Sequence, residues 1–326
     1  MARAASHARQ STDYFLDGEG CTRLLRSFVL LASCAFLIAS PAKVLGQADA
    51  SRIPGEKEPT YLVIRADDGG MSHSVNMALQ KLIATEMPVS VSVMFPTPWY
   101  QETVEILKQH PEVSVGIHLT LNSEWKNYRW GPVAGATTVP SLVDADGYFF
   151  PTSEALEKHH PDPREVETEL RAQIERARRS GLRIDYVDYH MGTVRDNPQF
   201  AAIAERLAKE YGLGMMQYFG EPRYNPQYDA RPQDKPDSLV ALVNRLKPGF
   251  TVLVTHLGID NAELGALLDM NTDGGLPEMS KNRQGELDAI TSPRFREAVK
   301  ARDVRLITYR QLIQMKGLQS MHRPGN

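Results

Sequence analysis

Tyr61-Leu-Val-Ile-Arg-Ala-Asp-Asp-Gly-Gly70 decides how this chain is read. Residues 61–65 are a short apolar run, the pattern of a strand. The run stops at two adjacent carboxylates, Asp67 and Asp68, followed by two glycines. Working outward, residues 74–84 place Val75, Leu79, Leu82 and Ile83 on one side of a helix. Residues 89–95 read as the next strand, 101–109 as a helix and 113–121 as a third strand. Strand and helix keep alternating down the chain. Strands are expected at 184–189, 213–219, 250–255 and 304–308. Helices are expected at 163–180, 198–211, 237–246, 292–302 and 309–315. This order predicts an α/β fold with a parallel sheet or barrel of about seven strands. Residues 122–162, rich in Gly, Pro and aromatics, interrupt it as a long insertion, which in a compact domain is usually functional. Residues 257–282 read as irregular.

A chain of 326 residues is long enough for one large α/β domain. No linker is evident after Pro59, so a single catalytic domain is expected over 60–316, with 47–59 as a linker and 317–326 as a tail. The net charge of −3 gives no basic footprint, and no nucleic-acid partner is expected. Arg and Lys gather around 165–179 but alternate with Glu, as on a solvated helix face.

At the N-terminus, Arg23 and Arg26 precede an apolar run over 28–39. That run is shorter than the roughly 18 to 20 residues of a spanning helix. A basic flank, a short apolar core and small residues compose a secretory signal over 1–46, with cleavage after Gly46 and Gln47 as the first mature residue. The expected location is therefore secreted or periplasmic. The segment before Arg23 is long for a signal, which leaves a start downstream of Met1 open. Leu31-Ala-Ser-Cys34 has the form of a lipoprotein box, although the apolar run continues past it. Membrane attachment follows only if the signal is retained or lipidated. Both cysteines, Cys21 and Cys34, lie in this segment. The mature chain then has no thiolate to act as nucleophile or ligand. Any metal is held by His and carboxylate.

Active sites of α/β barrels lie where strands end. Asp67-Asp68, His118, His190 and His256 all stand at such ends. Alone, Asp67-Asp68-Gly69-Gly70 is a plain turn, because Asp and Gly are turn residues. Alone, each histidine is as readily structural. Together they suggest a cation site. Adjacent buried carboxylates repel, and a bound divalent cation removes that penalty. One carboxylate and two imidazoles leave coordination positions open for water and substrate. A second carboxylate is then free as a base, and a further histidine can protonate a leaving group. No His-X-His, His-Glu-X-X-His or Gly-X-Ser-X-Gly occurs, which argues against amidohydrolase, zincin and serine-hydrolase chemistry.

Five segments, in order and spacing, resemble the YdjC-like carbohydrate deacetylases. They are Ala66-Asp-Asp-Gly-Gly-Met-Ser-His-Ser-Val-Asn76, Val115-Gly-Ile-His-Leu-Thr-Leu121, Val139-Pro-Ser-Leu-Val-Asp-Ala-Asp-Gly147, Ile184-Asp-Tyr-Val-Asp-Tyr-His190 and Val252-Leu-Val-Thr-His256. The resemblance implies a distorted (β/α) TIM-like barrel. It implies Asp68, His118 and His190 as metal ligands, Asp67 as general base and His256 as general acid. The implied reaction is hydrolysis of an N-acetyl group on an oligosaccharide or other glycan. Three positions depart from the family pattern: Gly69 where Phe is usual, Gly192 where a second histidine is frequent, and Leu257 where Pro is common. These departures put the pocket wall, and so the substrate, in question.

The donor set suits zinc, while magnesium stays open. His73 either lines the pocket or caps the following helix. Trp125, Tyr128 and Trp130 either stack on sugar rings or pack the insertion onto the barrel. Arg129 could pair with an acidic glycan. Two other functions compete: a non-catalytic glycan-binding protein on the same barrel, or another metal-assisted esterase or phosphoesterase. A homodimer is also open.

Overall fold

Thr60–Gly69 forms the longest strand, β1, and lies at the centre of the sheet. The structure is a computed structural model that describes residues 58–271 and 278–325. These belong to one compact unit, Gly55–Asn326. The expected signal over 1–46, and all of the 47–59 linker except Glu58 and Pro59, lie outside the described residues.

Along one edge, β1 pairs with β7 (Gly249–Thr255) from Thr60 to Ala66. Its other edge is shared. β8 (Val304–Ile307) takes Thr60–Val63, and β2 (Ser90–Val93) joins from Arg65 onward. Outward from β2 come β3 (Ser114–Leu119), β4 (Ile184–Tyr189) and the two-residue β5 (Gly214–Met215). Each of these neighbours is parallel. The seven expected strands are all present, with the one expected over 213–219 shortened to Gly214–Met215. An eighth, β6 (Arg223–Tyr224), pairs beyond β7. The result is the distorted barrel, left open between β5 and β6 among the described residues.

Parallel strands need crossovers, and the helices supply them. Helix His73–Ile83 starts where Ser72 accepts the Val75 N–H, and it buries Val75, Leu79, Leu82 and Ile83, the side expected from its spacing. Helix Pro163–Arg179 has Asp162 as its cap and Pro at its first position. Helix Tyr309–Lys316 opens with a capping box of Thr308 and Gln311.

The insertion is less irregular than its composition suggests. It contains helix Ser153–Lys158, capped by Thr152, and a bridge between Val143 and Phe149. Glu169, from helix Pro163–Arg179, holds it down by accepting the Val133 and Ala134 N–H groups at 2.9 and 2.8 Å. A further helix, Met279–Thr291, starts inside the stretch expected to be irregular. Its buried side includes Ser280, Asn282, Arg283 and Glu286, so an apolar period is missing where the helix turns inward.

Candidate functional site

Successive residues of a strand point to opposite faces. Asp67 and Asp68 are adjacent, yet both line one cavity. The backbone explains this. Asp68 has φ +64°, and the register of β1 against β2 shifts between Ala66 and Gly69. Asp tolerates the left-handed region better than most residues. The turn is closed by the Met71 N–H donating to the Asp68 carbonyl at 2.9 Å. Gly70 follows with φ +89°, and a Cβ there would stand 2.7 Å from the Tyr100 Cα.

Asp68, His118 and His190 meet at this strand end, all buried. Asp68 Oδ1 lies 3.5 Å from His118 Nε2 and 3.4 Å from His190 Nδ1. It is a buried oxygen without a hydrogen bond of its own. The far nitrogens of both rings are committed elsewhere. His118 Nδ1 meets Asp188 Oδ1 at 2.8 Å, and His190 Nε2 meets Glu124 Oε2 at 3.0 Å. Carboxylates behind imidazoles fix the tautomer and aim the inner lone pair, the usual support of a metal-binding histidine. One orphaned carboxylate oxygen and two aimed imidazoles therefore fit a divalent cation, zinc being well suited. A second grouping, Asp67, His118 and Asp188, also lies within reach of an ion. Arg65 bonds both of its carboxylates and already neutralises it.

The electrostatics agree with this geometry. Burial opposes charge on Asp68, but the Arg283 guanidinium and His190 hold its carboxyl well below the ordinary range. Arg283 Nη2 donates to Asp68 Oδ2 at 2.6 Å and leaves Oδ1 to the histidines. Burial likewise opposes charge on His190, yet Glu124 and Asp68 push it up to about 10.

Asp67 has a different setting. Arg65 Nε and Nη2 donate to its two oxygens, each at 2.7 Å. Arg65 Nη1 reaches Asp188 Oδ2 at 2.9 Å, where Ser92 Oγ also donates at 2.7 Å. One buried guanidinium thus fixes Asp67 and the carboxylate behind His118. Across from Asp67, His256 places Nε2 at 3.9 Å from Asp67 Oδ2. Its backbone N–H donates to Glu286 Oε2 at 2.7 Å, while the ring Nδ1 is buried without a partner. Burial pulls the His256 pKa down, against the two aspartates.

All five residues picked out in the sequence thus line a single cavity of about 380 Å³. Trp125 also lines it. Tyr128 and Trp130 do not. Tyr128 donates to the Met71 carbonyl and so ties the insertion to the loop after β1, while Trp130 Nε1 donates to the Asn122 carbonyl within the insertion and its ring stands edge-on to His190 at 6.3 Å. Arg129 is bound to Asp144 and the Phe149 carbonyl. His73 pairs with Glu102 at 2.8 Å at its helix start, outside the lining. Of the three departures from the family pattern, only Gly192 reaches the cavity. A Cβ on Gly69 would meet Val91 Cγ1 at 3.1 Å and the Ser92 carbonyl at 3.3 Å. Gly69 is a packing position, and a larger side chain needs a shifted β2.

The sequence reading missed Arg65, Glu124, Arg283 and Glu286. Arg65 carried a signal, as a charged residue inside an apolar strand. The other three come from the insertion and from helix Met279–Thr291, where periodicity gives no guide.

Fold and site together define an α/β-barrel protein with a cation-competent carboxylate–imidazole cluster at the strand ends. Residues 61–301 match the YdjC-like protein family, and the chain belongs to it. The resemblance read from the five segments is borne out. A carbohydrate deacetylase of Geobacillus stearothermophilus is 29% identical over 274 residues, covering 79% of this chain and 100% of the relative. One from Thermus thermophilus is 29% identical over 262 residues, covering 73% of this chain and 89% of its own. A solved structure from Enterococcus faecalis V583, of a protein provisionally assigned to cellobiose-phosphate cleavage, superposes with a TM-score of 0.65 at 23% identity. It covers 78% of this chain and 99% of its own, and it bears out the fold.

Proposed function

We propose that the protein is a secreted, metal-dependent deacetylase that hydrolyses the N-acetyl group of a carbohydrate. The reading rests on family membership and on one observation: Asp67, Asp68, His118, His190 and His256 share a cavity in which Asp68 Oδ1 is buried without a hydrogen bond. Asp68, His118 and His190 would hold the cation, zinc or magnesium. A divalent cation held there supplies a Lewis acid and lowers the pKa of bound water.

The remaining chemistry belongs to the chain's own residues. Asp67 Oδ2, held in place by Arg65, faces the cavity as the base that takes a proton from the attacking water. His256, whose protonated ring is made a stronger acid by burial, gives a proton to the leaving nitrogen. The amide C–N bond breaks, and the products are acetate and the free amine. Asp188 and Glu124 keep the two imidazoles aimed. Export is supported by Arg23, Arg26 and the apolar run over 28–39; N-terminal sequencing of protein recovered outside the cytoplasm tests it.

Acetate release from N-acetylated oligosaccharides, with and without chelator, tests the mechanism. Release should depend on the metal, and Asp67→Asn should lower it by about 10²- to 10⁴-fold, the usual worth of a positioned base. Metal-independent release, or a wild-type rate in Asp67→Asn, overturns it. Metal analysis of the purified protein identifies the ion.

A further inference from the structure

Arg283 is committed at only one of its three nitrogens. Nη2 donates to Asp68 Oδ2 at 2.6 Å. Nη1 and Nε are buried without a hydrogen-bond partner, on a side chain that is 6% exposed. Trp125 is in the same position: its Nε1 has no partner, and the residue is 1% exposed. Both residues line the cavity, with the Arg283 Cζ 5.9 Å from the Trp125 ring centre. Buried polar groups are nearly always satisfied, so unbonded donors in a functional cavity call for an acceptor that arrives with the ligand.

The type of acceptor follows from charge and position. A guanidinium favours oxygens bearing negative charge, and planar carboxylates above all. Asp68 is the carboxylate bonded to Arg283, and it is also the proposed cation ligand. A cation held by Asp68 would draw on the same carboxylate charge and leave the Arg283 guanidinium, which lines the cavity, less fully neutralised. In the deacetylation proposed above, one substrate atom becomes anionic beside Asp68, the acyl oxygen.

We propose that Arg283, with Trp125 beside it, forms the subsite for the acyl oxygen, and afterwards for the carboxylate of the acetate product. This rests on the deacetylase reading. As water oxygen bonds to the acyl carbon, the carbonyl π pair moves onto the acyl oxygen, and Asp67 takes the water proton. The negative charge then lies against the unpaired N–H groups of Arg283 and Trp125. When the carbonyl re-forms, the C–N bond breaks and the nitrogen takes a proton from His256. Donors placed in advance where charge develops stabilise the transition state more than the ground state.

Acetate and its neutral analogue acetamide, followed by saturation-transfer NMR on the metal-depleted full-length protein, test the subsite directly. Wild type should bind acetate in preference to acetamide. Arg283→Met should lose at least about tenfold in acetate affinity, together with that preference. Arg283→Lys should keep part of both, and Trp125→Phe should weaken acetate severalfold; these two variants carry the test if Arg283→Met does not fold. In zinc-loaded protein, Arg283→Met should lower kcat by about 10²- to 10³-fold with KM little changed. No acetate binding by wild type, or binding to Arg283→Met within twofold of wild type, overturns the proposal. If wild type binds acetate but releases none from any N-acetyl sugar, the subsite stands and the reading of the activity falls.

Discussion

The two carboxylates at the end of β1 sit in opposite kinds of surroundings. On the Asp67 side, Arg65, Asp188, Ser92 and His118 form a closed network in which the guanidinium and both carboxylates are bonded. On the Asp68 side, Asp68 Oδ1, Arg283 Nη1 and Nε, His256 Nδ1 and Trp125 Nε1 are buried and unbonded. A closed network of buried charges gives rigidity, and one left open keeps capacity for an ion and a ligand. The contrast teaches that this barrel fixes one carboxylate, the proposed base, and leaves the other, the proposed ligand, open.

The most severe way to break the contrast is to open the closed side. Arg65→Met strands Asp67 and Asp188 in the core, where removing one partner of a buried ion pair costs about 3 to 5 kcal/mol. Denaturant unfolding should show a loss of that size; a change under about 1 kcal/mol would mean that the network holds nothing together.

Glu169 sharpens the comparison, because it shows a bonded group that still resists its charge. Burial pushes its carboxyl from 4.5 up to about 7, although Val133, Ala134 and Gln173 donate to it. A raised carboxyl pKa means that the folded state holds a proton which the unfolded chain has released. Its contribution to stability is therefore complete below pH 4.5 and is lost as pH rises through about 7. Glu169→Gln does not titrate. Between those limits the difference between variant and wild type should move in the variant's favour by about 3 kcal/mol, following 1.36 kcal/mol per pKa unit. Parallel unfolding curves of the two proteins across that range would remove the argument.

The smallest effect probes the open side. His190, raised to about 10 by Glu124 and Asp68, must give up its proton to bind a cation. Zinc titrated into metal-depleted protein at pH 8 should release about one proton, measured by calorimetry in buffers of different ionisation enthalpy. Glu124→Gln should release less. Equal release from both proteins would separate Glu124 from the ionisation of His190.

Much of this was legible in the sequence, and the rest was hidden for physical reasons. The strands announced themselves as apolar, β-branched runs, and a barrel puts its chemistry where such runs end. Asp67, Asp68, His118, His190 and His256 could therefore be found together. Helix Met279–Thr291 could not, because its inward face carries Asn282, Arg283 and Glu286, and its first residue follows Glu278 at φ +60° without a side-chain cap. The residues that complete the site removed the helix's own signature. Gly69 was misleading in a different way. It looked like a change in the pocket wall, whereas it is set by the close approach of β2.

The left-handed backbone of Asp68 restricts how the centre can be altered, by design or by drift. In the proposed centre, position 68 has a ligand requirement and a conformational one to satisfy at once. Exchanging it for Glu keeps a donor but places a longer side chain on a backbone that resists it by roughly 1 to 2 kcal/mol. Asn keeps the backbone and gives up the charge. A change of metal preference thus has readier routes through His118 and His190, on regular or nearly regular strand ends, than through the aspartate between them.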